Sequence, residues 1–156
     1  KRRCLFWKVM EGRDKRDTYS TSKLNVLEME SLESIVRELR TSGFNEDRVM
    51  IICYYEAQRR KAEQELARQG TYEVLTVDSA QGREKPIVIV LTTRAAVPAE
   101  GEEVFFKSSM RCNVAMSRHQ EALIVLGNPC ITNIPIWGKI LDKKYFYHVE
   151  DYYSRR

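Results

Sequence analysis

A polar loop, Asp78 to Lys85, separates two apolar runs, Glu73 to Val77 and Ile87 to Thr92, and carries Gln81-Gly82-Arg83-Glu84. Loops held between buried segments carry function more often than packing does. Gly82 permits a tight turn and a close backbone approach. Glu84 puts a carboxylate beside Arg83. Metal chemistry finds no such foothold. Cys4, Cys53, Cys112 and Cys130 are scattered without a CxxC, and the only histidines are His119 and His148, so the spacing implies no zinc site. A GxxxxGK[ST] phosphate loop is absent from the sequence, as is an acidic pair in an apolar strand context suited to hold Mg2+.

The elements that must position the loop can be read from periodicity. Leu5 to Met10 predicts a strand, and Glu11 to Ser22 a polar loop. Asn25-Val26-Leu27-Glu28 has the form of a helix start, and Leu32, Ile35, Val36 and Leu39 follow at helical spacing on one apolar face. Ser42-Gly43 ends that helix. Arg48 to Tyr55, rich in β-branched and aromatic residues, predicts a buried strand. Glu56 to Gln69 is a charged helix closed by Gly70. Glu73 to Val77 and Ile87 to Thr92 are strands, the second opened by Pro86, which a strand tolerates at its first position. Ala95 to Lys107 reads as a loop, Ser108 to Ser117 as a short helix, and Ala122 to Leu126 as a strand stopped by Gly127-Asn128-Pro129. Ile136 to Leu141 and the tyrosine-rich tail carry no clear pattern. Strands alternating with helices imply βαβ units and a mainly parallel sheet covered on both faces. Ligands of such sheets bind beyond the carboxyl ends of the strands, which is where this reading places Ser79 to Glu84 and Asn128.

With 156 residues the chain is long enough for one domain around one core. A net charge of +4, much of it near the amino end, is compatible with a polyanionic partner and does not demonstrate one. Cys53, inside an apolar run, is expected as a buried free thiol in a reducing compartment, cytoplasmic or nuclear. No apolar run approaches the roughly 20 residues that cross a bilayer, and no signal peptide is visible. The chain begins at Lys1 rather than Met, so a portion of a longer protein is expected.

Three stretches, in order and suitably spaced, resemble helicase motifs. "IICYYEAQRR" is similar to motif IV, "TVDSAQGREKPIVIV" to motif V and "RCNVAMSRHQEALIVLGN" to motif VI. An earlier "TSKLNVLEMES" resembles the Ser…Asn…Glu segment that opens a helix in the same proteins. Together they resemble the second, C-terminal RecA-like domain of superfamily 1B helicases, in the group of the nonsense-mediated-decay helicase and senataxin. The likeness runs from about Leu5 to Trp137. It implies an α/β, RecA-like three-layer sandwich over residues 1–156, with a core of about 5–141 and a mainly parallel sheet flanked by helices.

The roles that follow are those the resemblance implies. ATP with Mg2+ lies in the cleft between two RecA-like domains, and the first domain, with its phosphate loop and most of the metal's ligands, is absent from this chain. Gly82 and Glu84 face the nucleotide, Glu84 near the ribose. Arg118 is the catalytic arginine that reaches the γ-phosphate. Gln58, Gln81, Arg111 and Asn113 are supporting positions. Single-stranded RNA or DNA crosses the top of both domains, with Thr76, Ser79 and Arg94 as candidate contacts, because hydroxyls and loop amides bind phosphate. Movement along the strand is 5′→3′. Asn25 and Glu28 are already explained by their spacing as a helix cap, and no chemistry is assigned to them.

Some positions depart from the family pattern. Cys53, Tyr54 and Tyr55 stand where motif IV commonly reads Thr-Pro-Tyr. That exchange loses a hydroxyl but offers Tyr54 for stacking on a base. Leu91 replaces a frequent serine, and His119-Gln120 replaces an alanine and a basic residue. Without a phosphate loop the chain alone is not expected to hydrolyse ATP. It is either the C-terminal portion of a longer helicase or a stand-alone remnant. The competing readings are a non-catalytic module that binds nucleic acid or protein through the same fold, and a small α/β protein whose motif matches are packing coincidence.

Overall fold

The computed structural model describes residues 3–10, 14–16, 22–99 and 104–150. Six parallel strands form one sheet: β1 (Arg3–Lys8), β4 (Val49–Cys53), β5 (Glu73–Thr76), β6 (Lys85–Leu91), β7 (His119–Gly127) and β8 (Tyr147–Glu150), in the spatial order β5-β4-β6-β7-β1-β8. Helices α1 (Val26–Thr41) and α2 (Glu56–Leu66) cover one face, and α3 (Ser109–Ser117) and α4 (Pro135–Ile140) the other. The result is a three-layer α/β sandwich of the RecA-like kind.

Strand periodicity explains the two cores. In β4, Val49, Ile51 and Cys53 pack toward α1 and α2, while Met50 and Ile52 pack toward α3 and α4. Side chains alternate across a strand, and a sheet covered on both faces needs apolar residues at every position. Every residue of β4 is accordingly buried. The second core is closed by aromatics: Trp137 stacks on Phe106 with centroids 5.0 Å apart and donates Nε1–H to the Phe106 carbonyl at 3.0 Å. Tyr54 meets both rings edge-on and donates its hydroxyl to Cys112 Sγ at 3.5 Å. Tyr54 is 1% exposed, so the expectation that it stacks on a base is overturned. It leaves β4 on the side that faces the second core, and burial raises its phenol pKa above the ordinary value.

The helix signals hold. Asn25 Oδ1 accepts the Glu28 backbone N–H at 3.1 Å as the cap of α1, and Gly43 follows that helix at φ 93°. Cys53 is a buried free thiol. Two features differ from expectation. Part of the segment read as a loop between Glu11 and Ser22 is strand β2 (Asp14–Arg16), paired antiparallel with β3 (Lys23–Asn25); residues 11–13 and 17–21 lie outside the described residues. The tail, which showed no pattern, contributes α4 and the edge strand β8, whose Tyr147 pairs with Leu5 of β1.

Candidate functional site

The amino edge of the sheet brings two loops together. Lys85 opens β6 opposite His119 of β7, and the Lys85 N–H donates to the Arg118 carbonyl at 3.2 Å. Glu84 and Arg118 each stand one residue before this aligned pair, so they are neighbours although 34 positions apart in the chain. This corrects the expected location. The loop from β5 leaves the carboxyl edge through a 3-10 turn at Asp78–Ala80 and returns across the sheet. Glu84 therefore ends at the amino edge and only the first part of the loop stays at the carboxyl edge. Gly82 makes the reversal at φ 79°, a backbone region that favours glycine, and a Cβ there would meet open space.

Glu84 is exposed, and its basic neighbours are engaged elsewhere. Arg83 pairs with Glu73 at 2.7 Å; Lys85 Nζ donates to the Asp47 carbonyl at 2.9 Å and lies 4.0 Å from Glu73. Arg118 is half-buried at the end of α3, its Nη2 donating to Ser117 Oγ at 2.9 Å. Ser117 Oγ donates in turn to the Asn113 carbonyl at 2.6 Å. The Arg118 Nε is shut from solvent without a partner, and among the described residues no carboxylate pairs with this guanidinium. A carboxylate and a guanidinium, both unneutralised, thus share one edge. Asn113 joins this group through its carbonyl, its side chain being exposed. Gln81 is exposed in the return of the loop.

The carboxyl edge gathers the hydroxyls. Thr76 Oγ1 and Ser79 Oγ are 3.0 Å apart, and the Ser79 N–H donates to Thr76 Oγ1 at 3.3 Å. Between them in sequence, Asp78 receives two bonds from Arg111 of α3, Nε to Oδ1 at 3.0 Å and Nη2 to Oδ2 at 3.3 Å. The Arg111 guanidinium lies 4.2 Å from the centroid of the Phe105 ring. Asp78 and Phe105 carry no signal in the sequence, because their partner is distant in the chain or in another element.

Arg94, beyond β6, is 8% exposed and pairs with Asp14 at 3.2 Å. Its approach is set by Thr93, at φ 71°, which lies inside a turn closed from Arg94 N to the Thr92 carbonyl at 2.8 Å. Positive φ is unusual for a β-branched residue. A buried network holds it there: Thr93 N donates to Glu28 Oε1 at 2.9 Å and Asn25 Nδ2 donates to the Thr93 carbonyl at 3.0 Å. Gln58, wholly buried, clasps the backbone of Asn25, accepting its N–H at 2.6 Å and donating to its carbonyl at 3.2 Å. Burial pushes the Glu28 carboxyl up to about 8 against the Thr93 N–H, which favours the charged form. Gln58 is thus a fastening inside the fold, away from the amino edge.

Among the described residues no group of three or more His, Cys, Asp or Glu could hold a metal ion, and no helix is long and apolar enough to cross a membrane.

A family model described as an AAA domain matches residues 1–130. The chain is similar to Regulator of nonsense transcripts 1 homolog of Arabidopsis thaliana, 32% identical over 149 residues that cover 89% of this chain and 12% of that protein. It is 31% identical over 147 residues to ATP-dependent helicase NAM7 of Saccharomyces cerevisiae, covering 88% of this chain and 15% of that one. Against senataxin of Mus musculus the identity is 32% over 130 residues, 80% of this chain and 5% of the other. The chain therefore spans a small part of the length of each relative it matches.

Proposed function

The chain belongs to the AAA-domain family, and we propose that it is the second RecA-like half of an ATP-dependent helicase acting in RNA metabolism. The observation that carries this reading is the bond from Lys85 N–H to the Arg118 carbonyl, 3.2 Å, which ties the Gln81-Gly82-Arg83-Glu84 loop to the end of α3. The phosphate loop and the Mg2+ ligands are assigned to a first RecA-like domain of the same parent chain, with ATP in the cleft between the two. Glu84 accepts a hydrogen bond from the ribose. Arg118 reaches the γ-phosphate. Phosphoryl transfer spreads negative charge over the equatorial oxygens, and a guanidinium placed there accelerates it by about 10³–10⁵. Because Arg118 arrives from the opposite domain, hydrolysis requires the cleft to close, and closure coupled to hydrolysis moves the protein along a strand.

At the carboxyl edge Thr76 and Ser79 contact the phosphates of that strand. Arg94 does so by exchanging its Asp14 carboxylate for phosphate. Relatives named for nonsense transcripts favour RNA over DNA as the strand.

The test is Arg118→Ala in a parent protein that carries a phosphate loop. ATP hydrolysis is expected to fall by about 10³-fold or more, with strand affinity unchanged. Arg118→Lys should rescue little, since an ammonium lacks the planar fork. Hydrolysis at the wild-type rate in the alanine variant would overturn the assignment.

A further inference from the structure

We propose that Arg111, laid on Phe105 and locked by Asp78, is a stacking platform for one unpaired base of a nucleic-acid single strand. The inference rests on the reading of the carboxyl edge as the strand-binding edge and names what that edge would recognise beyond phosphate.

Three contacts fix the guanidinium. Asp78 takes two of its N–H groups in the plane of the group, at 3.0 and 3.3 Å, and the Phe105 ring lies beneath at 4.2 Å. A two-point bond between a planar guanidinium and a carboxylate sets tilt as well as position. Phe105 is itself held, with Tyr54 edge-on at 6.1 Å and Tyr55 tilted against it at 5.8 Å. The Arg111 side chain nevertheless remains 34% exposed and Asp78 60%. With the Phe105 ring 4.2 Å from its centre and an edge on Asp78, we take the exposed part of the guanidinium to be the face turned away from that ring.

So exposed an ion pair adds only about 0–1 kcal/mol to stability. What the arrangement does secure is a flat cationic surface at a fixed angle. Nucleobases stack on such guanidinium planes as they do on aromatic rings, and cations add to the attraction. Its place suits a strand. Asp78 lies in sequence between Thr76 and Ser79, whose hydroxyls are 3.0 Å apart, so a nucleotide whose phosphate these hydroxyls held would lie beside Arg111. Met110 and Val104, 77% and 76% exposed, add apolar surface from the same segment.

The experiment measures binding of the 156-residue chain, by fluorescence anisotropy, to an oligoadenylate about 12 nucleotides long and to an abasic strand of the same length and charge. The wild type is expected to bind the adenine strand on the order of ten-fold more tightly than the abasic one. Arg111→Lys keeps the charge and a partner for Asp78 but has no planar face. It should lose that ten-fold preference while its affinity for the abasic strand stays the same. Two results would overturn the platform: equal wild-type affinity for the two strands, or a preference that survives in Arg111→Lys. In both, measurable affinity for the abasic strand would leave the strand-binding edge standing. Binding of neither strand by the wild type would remove platform and edge together.

Discussion

Glu28 sits wholly buried at the start of α1, where its sequence position promised a cap alone. Its carboxylate instead accepts the Thr93 N–H at 2.9 Å and Asn25 Nδ2 at 3.3 Å. Loss of water, followed by repulsion from Asp14, outweighs these donors and raises the pKa from 4.5 to about 8. The folded state thus keeps a proton that the unfolded chain has released. Stability from this group is complete below pH 4.5, falls as pH rises, and is gone above about pH 8. While Glu28 alone titrates the slope is about 1.4 kcal/mol per pH unit. Urea denaturation of the wild type and Glu28→Gln between pH 5 and 8 should therefore show the wild type losing stability relative to the variant, and parallel curves would refute it. Nothing in the sequence betrayed this, since a capping residue and a buried acid share the same spacing. Tyr54 failed for a related reason: a residue just past a strand end points to solvent or to core according to what lies above it, and that was Phe106 and Trp137, 50 and more positions away.

Helices and strands were the most legible layer. The cap of α1, the charged run of α2 and the apolar runs of β4 and β6 are local signals, and each produced the element it announced. β2 and β8 are short, and their partners settle them: β8 becomes a strand by lying along β1, a pairing that no window of sequence contains. The buried joint between α2 and α1 is equally non-local. Gln58 satisfies both the N–H and the carbonyl of Asn25, 33 residues earlier. Gln58→Ala strands the Asn25 N–H in a space closed to water, which costs about 1–3 kcal/mol, while the carbonyl, as the cap of α1, keeps its helical bond. Chemical denaturation should register a loss of at least about 1 kcal/mol. A change below about 0.5 kcal/mol would mean that water replaces the amide, and that the joint is softer than its burial suggests.

At the scale of the whole molecule the sheet holds two groups of candidate residues apart by its length. Glu84 and Arg118 stand at the amino edge, while Thr76, Ser79 and Arg111 stand at the carboxyl edge, with α3 running from one to the other and carrying both arginines. The resemblance to helicase motifs picked out residues from both edges, but it could not say which lay together. The stretch similar to motif V begins at one edge and ends at the other, so its contiguous letters lie at opposite ends of the sheet. Substitutions should divide accordingly in a parent protein with a phosphate loop. Glu84→Gln keeps a neutral acceptor and removes the charge, and is expected to raise KM for ATP several-fold with the strand Kd unchanged. Ser79→Ala removes a hydroxyl from the other edge, and should weaken the strand by about 0.5–1.5 kcal/mol, the usual net value of one hydrogen bond, leaving KM for ATP at saturating strand unaltered. Raising the salt concentration should weaken the strand for both proteins, because phosphate contacts release counterions. In the cycle proposed above each ligand favours the closed cleft, and because coupling between sites is reciprocal the two readouts are linked at low strand concentration. They must separate once strand is saturating. A Glu84→Gln protein that lost strand affinity as fully as Ser79→Ala would mean that the two edges act as one site, and that the division read from the course of the loop is wrong.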